Sequence, residues 1–412
     1  MLLKYFLFFM FMLLASASPL CASEFEAHST VLGQSRESSG SQHVLPFNGY
    51  VGFSGKHEKW EGTTDMRFFR DFPRKEQDYD LYQALVRFRP LELLSMDIGR
   101  QFVALESSAE TIDGVRMTLF PQEHLALDVY SGMPRSVEIG DFNEDDGLLT
   151  GMSLGLIKTK RTRARIFSSW RKNKFRLNDF PHNDEIFVGG NLSYQFPIKM
   201  MPLLYGVMEY NAAAKNIDTA TAGFDLYPHR RISVNAEFSF ADENSEADKK
   251  TVFSLFSQDA AYFASTAVTF ELIPDYVDIS PRYSFSRLKP SAEGWSNGHQ
   301  LNVAVPVSFA DLGLHLTPSY YFLQSWGGNV HGARLDVRET WQKWFGETSF
   351  DFSTHRKVTN DHDRSWSLIG WVGYTLLKEW ELAAGMEYNR NNHFNNDVRA
   401  SFRMSYNFGM KT

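Results

Sequence analysis

Residues 301–322 read LNVAVPVSFADLGLHLTPSYYF. From Leu301 to Phe309 the odd positions are Leu301, Val303, Val305, Val307 and Phe309, and the even ones are Asn302, Ala304, Pro306 and Ser308. After Ala310 and Asp311 the apolar set moves to the even positions: Leu312, Leu314, Leu316, Pro318, Tyr320 and Phe322. Successive side chains of a strand point to opposite faces, so a period of two means one apolar face and one small or polar face. Two such runs separated by two residues predict a tight hairpin.

The same alternation spreads outward along the chain. Ile186, Val188, Gly190, Leu192, Tyr194 and Phe196 alternate with small and polar residues, as do Ile232, Val234, Ala236, Phe238 and Phe240. Runs at 262–272 and 382–388 repeat it. Each is about ten residues long, the length of a tilted strand that crosses a bilayer. The alternation test gives about 20 to 22 candidate strands between Asn48 and Phe408, with the weaker ones near 62–70 and 249–258. Connections alternate between short (Ala310-Asp311, and near Arg230) and long polar (138–147, 171–184, 241–250, 289–299, 357–364). The expected fold is therefore all-β: a transmembrane, antiparallel, up-and-down β-barrel over residues 48–412, with about 18–22 strands.

A soluble sandwich or propeller also alternates, with its apolar face inward. Three features favour the membrane. The alternation persists through the chain, aromatics sit at run ends (Tyr194/Phe196, Phe238/Phe240, Tyr320/Phe322), and the last run is strongly amphipathic. Aromatics make up 15% of the chain although its mean hydropathy is negative. A membrane barrel combines these properties because only every second residue meets lipid. After the leader no run of 18 apolar residues occurs, which excludes helical spans.

Residues 1–23 have the layout of a secretory signal peptide: Lys4, an apolar run from Tyr5 to Leu14, then small residues at Ala15-Ser16-Ala17 and Cys21-Ala22-Ser23. The apolar run is too short for a spanning anchor. Cys21 is the one cysteine, and the leader contains it, so the mature chain has no disulfide or Cys-x-x-Cys-His haem site. Residues 24–47 are polar and Ser-rich and are expected to be a flexible periplasmic lead-in. A net charge of −7 with both signs dispersed gives no nucleic-acid footprint.

In the last run, Val398, Ala400, Phe402, Met404, Tyr406 and Phe408 alternate with Arg399, Ser401, Arg403, Ser405 and Asn407. It resembles the C-terminal signal of Gram-negative outer-membrane proteins, an amphipathic strand ending in an aromatic. The resemblance implies outer-membrane location, partnership with the barrel-assembly machinery, and an assembly role for Phe402, Met404, Tyr406 and Phe408. Gly409–Thr412 departs from the pattern as a four-residue tail. A second, local likeness involves Asp97-Ile98-Gly99-Arg100-Gln101 and Asp113-Gly114-Val115-Arg116. These look like paired strands of porin-like families, including alginate-export-type channels and the barrels of porin–cytochrome conduits.

Charges in such strands are expected to avoid lipid, where Arg or Lys at midplane costs roughly 2–4 kcal/mol. The expected lumen-facing set is Arg163, Arg165, Glu237 and Glu271, then Asp278, Arg282, Arg334 and Asp336, then Arg338, Arg399 and Arg403. Either they form a transverse field that selects solutes, or they are ion pairs that hold the wall together. Arg163 and Arg165 with Arg334 and Arg338 suggest a mild anion preference. The basic stretch Arg161–Arg176 suits a solvated loop or lipopolysaccharide phosphates. The loop Asp141–Gly147 lacks the Gly at position six and the carboxylate at position twelve of a calcium loop. Histidines fall into no metal spacing, and Ser365, His362 and Asp363 are neighbours in sequence rather than a triad assembled across strands. No cofactor and no enzymatic activity are expected. The function expected is a passive porin-like channel for small hydrophilic solutes, anions included. The alternatives are a barrel sheath around a second protein, such as a multihaem cytochrome, and more remotely an enzyme barrel. Outer-membrane lipid, lipopolysaccharide, and either a second copy of the chain or a cytochrome are the expected partners.

Overall fold

A computed structural model of the chain describes residues 23–38, 45–72, 76–104, 109–134, 147–157, 159–172, 185–242, 261–289, 295–325, 328–357, 362–391 and 397–411. The strand segments in chain order are β1 (Glu24–Ser38), β2 (Pro46–His57), β3 (Trp60–Asp71), β4 (Glu76–Leu91), β5 (Leu94–Ala104), β6 (Ala109–Gln122), β7 (Leu125–Pro134) and β8 (Leu148–Leu156). They continue with β9 (Thr162–Lys172), β10 (Glu185–Gln195), β11 (Leu203–Asn211), β12 (Asn216–His229), β13 (Ile232–Ala241), β14 (Ala261–Ile273), β15 (Val277–Leu288) and β16 (Ser296–Ala304). The last are β17 (Val307–Phe309), β18 (Leu314–Ser325), β19 (Gly328–Trp341), β20 (Trp344–Lys357), β21 (His362–Leu377), β22 (Trp380–Arg390) and β23 (Asp397–Lys411). Apart from β16 and β17, which lie end to end, consecutive segments pair antiparallel, and β1 pairs with β23 to close the ring.

The 23 segments make 22 barrel strands, because β16 and β17 are halves of one strand. Both halves pair with β15 on one side and β18 on the other. The break at Val305-Pro306 arises because proline has no N–H to donate. The ladder still carries across it: Val305 N–H donates to Pro318 O, and Asp278 N–H donates to Pro306 O. The turn to β18 is a 3-10 turn at Ala310–Leu312 with Gly313 in the left-handed region, φ 62°, so it is longer than the two residues the sequence suggested.

β1 corrects the reading of 24–47 as a flexible lead-in. Residues 24–38 form a wall strand, in register from Glu24↔Lys411 to Ser38↔Asp397, and pair on the other side with β2. Phe25, Ala27, Ser29, Val31 and Gly33 oppose the terminal strand's outward residues. The alternation is weak because small and polar residues stand among the outward positions. Gly409 and Met410 also belong to β23, paired with Glu26 and Phe25, so the C-terminal tail continues the strand rather than following it. Residues 1–22 and 39–44 lie outside the described residues.

One parity carries the large exposed apolar side chains. Val86, Ile98, Val129, Met152, Ile166, Val188, Met208, Phe238, Leu301, Tyr320, Leu335, Val372, Met386 and Phe402 are all exposed and all on this face. In water that surface would be unfavourable; in lipid it is the required exterior. Paired aromatics band both ends. Trp60 on Phe88, Trp344 on Tyr374 and Trp380 on Tyr406 lie at the short-turn rim. Trp366 with Tyr388 and Tyr262 with Trp295 lie at the other. An apolar belt between aromatic girdles is the exterior of an outer-membrane-type barrel.

The register sets a graded test. Val303 lies mid-strand on the outer face, Val305 closer to the short-turn rim, and Leu314 opens β18 at that rim. Leu314 is thus at the start of its strand and far from the strand centre. Val303→Arg should cost about 2–4 kcal/mol, Val305→Arg less, and Leu314→Arg about 0–1 kcal/mol. Asn302→Arg and Thr317→Arg face inward and should be tolerated. Urea titration in lipid vesicles measures these differences, and equal costs at Val303 and Asn302 would show the faces to be misassigned.

Candidate functional site in the barrel lumen

Residues directly opposite in an antiparallel ladder share a face. On that basis all eleven charged residues expected in the lumen have inner parity. Arg163 and Arg165 oppose Ser193 and Asn191. Glu237 opposes Ser265, and Glu271 opposes Asp278. Arg282 opposes Asn302, Asp336 opposes Thr317, and Arg334 and Arg338 oppose Asp351 and Glu347. Arg399 and Arg403 oppose Glu387 and Ala383.

The partners are the new information. Arg334 bonds Asp336 at 2.8 Å, and Arg338 lies 3.5 Å from Glu347. Arg399 reaches Asp397 at 2.7 Å and Glu387 at 3.4 Å, and Arg403 bonds Glu381 at 2.9 Å. Glu237 accepts a hydrogen bond from the Tyr205 hydroxyl at 2.9 Å. The arginines of β19 and β23 are therefore compensated locally. Arg163 and Arg282 are exposed and form no ion pair among the described residues. Of the two alternatives posed by the sequence, wall-holding pairs describe β19–β23, while β9 and β15 keep cations open to the lumen.

A row of ion pairs across β3–β8 was not assembled from the sequence. Arg87 bonds Asp97 at 2.7 Å and 3.0 Å. Arg116 donates to Asp128 at 2.8 Å, and Asp128 also accepts from Thr118 at 2.6 Å and Ser153 at 3.3 Å. Arg100, 7% exposed, forks onto Asp113 at 2.8 Å and 2.9 Å, but this pair has the outer parity of Ile98 and Val115 and is not part of the lumen row. The strands noted for their porin-like sequence, 97–101 and 113–116, thus pair as the β5–β6 hairpin.

At the long-loop end the wall curls. Arg171 on β9 bonds Glu110 on β6 at 2.6 Å and lies 3.8 Å from Glu185, although β7 and β8 intervene. Beneath this clasp Val103, Ile112, Tyr130, Leu149 and Phe167, all of inner parity, pack into a buried cluster. Tight curvature needs residues without Cβ on the concave side. Gly99 has φ +121°, and a Cβ there would collide with the Ala84 carbonyl. One flank of the interior is thereby filled, whereas Arg282, His315, Arg334 and Arg338 on the other flank stay exposed.

Inner aromatics share a second device. Tyr130, Phe167, Tyr205, Tyr321, Phe345 and Trp371 stand directly opposite Gly151, Gly189, Gly223, Gly332, Gly373 and Gly385. Each ring lies where its partner glycine's Cβ would be. At Gly385 that Cβ would fall 2.5–2.8 Å from three indole atoms of Trp371. The rings thus lie along the wall instead of projecting into the lumen.

The structure also joins Ser353, His355 and Ser365, with His355 Nε2 2.9 Å and 3.0 Å from the two hydroxyls. Ser365 is one of the residues the sequence reading set aside; its partner is His355, across the β20–β21 ladder. The three side chains form a hydrogen-bond network across that ladder. Among the described residues no group of three His, Cys, Asp or Glu could hold a metal ion. The loop considered for calcium lies outside the described residues, apart from Gly147.

No family model matches the chain, and no curated protein matches it. Among solved structures it is similar to OpdQ of Pseudomonas aeruginosa, at 8% identity and TM-score 0.48, over 94% of this chain and 99% of that one. It is also similar to the outer membrane protein OpdK of the same organism, at 7% identity and TM-score 0.46, with the same coverage. A third is OccAB1 of Acinetobacter baumannii, at 8% identity and TM-score 0.45, over 94% of this chain and 96% of that one. The assignment of this chain as a closed 22-strand antiparallel barrel rests on its own strand register.

Proposed function

We propose that the chain is a passive outer-membrane channel for small hydrophilic solutes, anions included. One observation carries the reading: the ring is apolar outside and lined inside by ion pairs and exposed arginines, a surface that requires water. A circular ring of this strand number is about 44 Å across, from a strand spacing of about 4.8 Å and a tilt of about 40°. That is wider than wall side chains fill, and every described residue belongs to a wall strand or a rim connection.

The test is stepwise conductance of the purified protein in a planar bilayer. Absence of conductance would favour the sheath around a second protein, with the inner charges facing the guest. The finer likeness to alginate-export-type or cytochrome-conduit barrels rests on the β5–β6 hairpin and belongs to the same alternatives. For selectivity, the compensated arginines of β19 and β23 add little net field, so the exposed Arg163 and Arg282 carry the anion-attracting contribution. Arg163→Ser with Arg282→Ser should move the reversal potential in a salt gradient toward cations. The shift should fade near 1 M salt, where the Debye length is about 3 Å. An unchanged reversal potential at low salt would remove both residues from the permeation path.

A further inference from the structure

The exposed flank of the lumen contains a recess of about 800 Å³ between β18 and β21. That volume lies in the range of about 300–1,000 Å³ typical of small-ligand sites. Its polar walls are Arg334, Asp336, Arg338 and Glu347, and its apolar side is Ile369 and Trp371. We propose that this recess is a binding subsite for neutral saccharides passing through the channel. The proposal deepens the channel reading and rests on it.

Charge balance comes first. The two arginines are matched by two carboxylates, at 2.8 Å and 3.5 Å. A charged ligand would have to displace a partner from an existing pair. A hydroxyl need not: it donates to a carboxylate lone pair and accepts from a spare guanidinium N–H, of which each arginine has five. Arg338 turns Nε toward Glu347 and is 64% exposed at its side chain, so its terminal nitrogens face water. Vicinal hydroxyls suit such alternating donors and acceptors.

The aromatic side supplies the second element. Trp371 lies over Gly385, where no Cβ can lift it, and the Arg403 guanidinium stands 5.6 Å from its ring. A held indole beside Ile369 offers a flat apolar surface to the C–H face of a sugar ring. His315 completes the rim; its Nδ1 is 3.0 Å from Ser308 Oγ.

The experiment measures open-channel current with added glucose or maltose. The controls are an uncharged polyethylene glycol of similar size, for volume exclusion, and gluconate, for an anionic sugar relative. The saccharides should reduce the current saturably, beyond the polymer's effect and more than gluconate does. Trp371→Ala and Arg338→Gln should each raise the half-blocking concentration about tenfold, while heat-modifiable migration shows that the barrel is intact. Tryptophan fluorescence of the folded protein in detergent gives a readout independent of conductance: saccharide should change it in the wild type and not in Trp371→Phe. Conductance without saccharide block, stronger block by gluconate, or a block indifferent to both substitutions would overturn the subsite and leave the channel standing. Absence of conductance would overturn the channel, and the fluorescence titration would then decide the subsite alone.

Discussion

Deleting residues 24–38 should abolish barrel assembly. The mature chain should then fail to give a heat-modifiable, protease-resistant form, while the full chain gives one and fractionates with outer membranes. The cause is geometric. β1 is paired on both sides, with β2 from Glu24 to Gly33 and with β23 from Glu24 to Ser38. Its two neighbours are each antiparallel to it and therefore parallel to one another, so they cannot close the gap with the antiparallel ladder used everywhere else. Two strand edges would remain open in lipid, where each unsatisfied backbone group costs several kcal/mol. A flexible lead-in would tolerate the same deletion. Normal yield of a heat-modifiable barrel without residues 24–38 would show that β1 is dispensable for closure.

The second large effect is expected at the clasp. Arg171→Ala should destabilise the barrel by about 3–5 kcal/mol, the usual cost of removing one partner from a buried charge pair. Arg171 is 12% exposed at its side chain, with Glu110 and Glu185 at 15% and 17%, so the two carboxylates would be left with little water to replace it. Their repulsion should also loosen the curl over Val103, Ile112, Tyr130, Leu149 and Phe167 and raise the single-channel conductance. Combining Arg171→Met with Glu110→Gln and Glu185→Gln removes the charges together and should recover much of the stability. Urea titration in lipid vesicles reads the first effect and bilayer recording the second. A triple variant as unstable as Arg171→Ala would mean that charge is not the cause.

Much of the molecule was legible in the sequence. Because the side-chain period of a strand is two, each run of alternation fixes which residues share a face. The apolar set from Leu301 to Phe309 therefore lies outside, and Arg163, Glu237, Arg334 and Arg403 all have inner parity. The alternation of short and long connections likewise placed the long loops on one rim. The sequence failed where the alternation is weak. Among the outward positions of β1, Ser29 and Gly33 interrupt Phe25, Ala27 and Val31, and the Ser-rich composition concealed a strand whose partners lie at the far end of the chain.

Periodicity fixes a side but not a neighbour, and the neighbours are what the tertiary structure decided. Arg403 is compensated because the register brings Glu381 of the neighbouring strand beside it, two residues from the directly opposite Ala383. Arg171 meets Glu110 only because the wall curls past two intervening strands. Trp371 lies along the wall only because register sets it opposite Gly385, and Gly385 gains its meaning from a ring on the next strand. Each of these depends on curvature, register or rotamer across the sheet, and none of those leaves a mark in the local pattern of one strand.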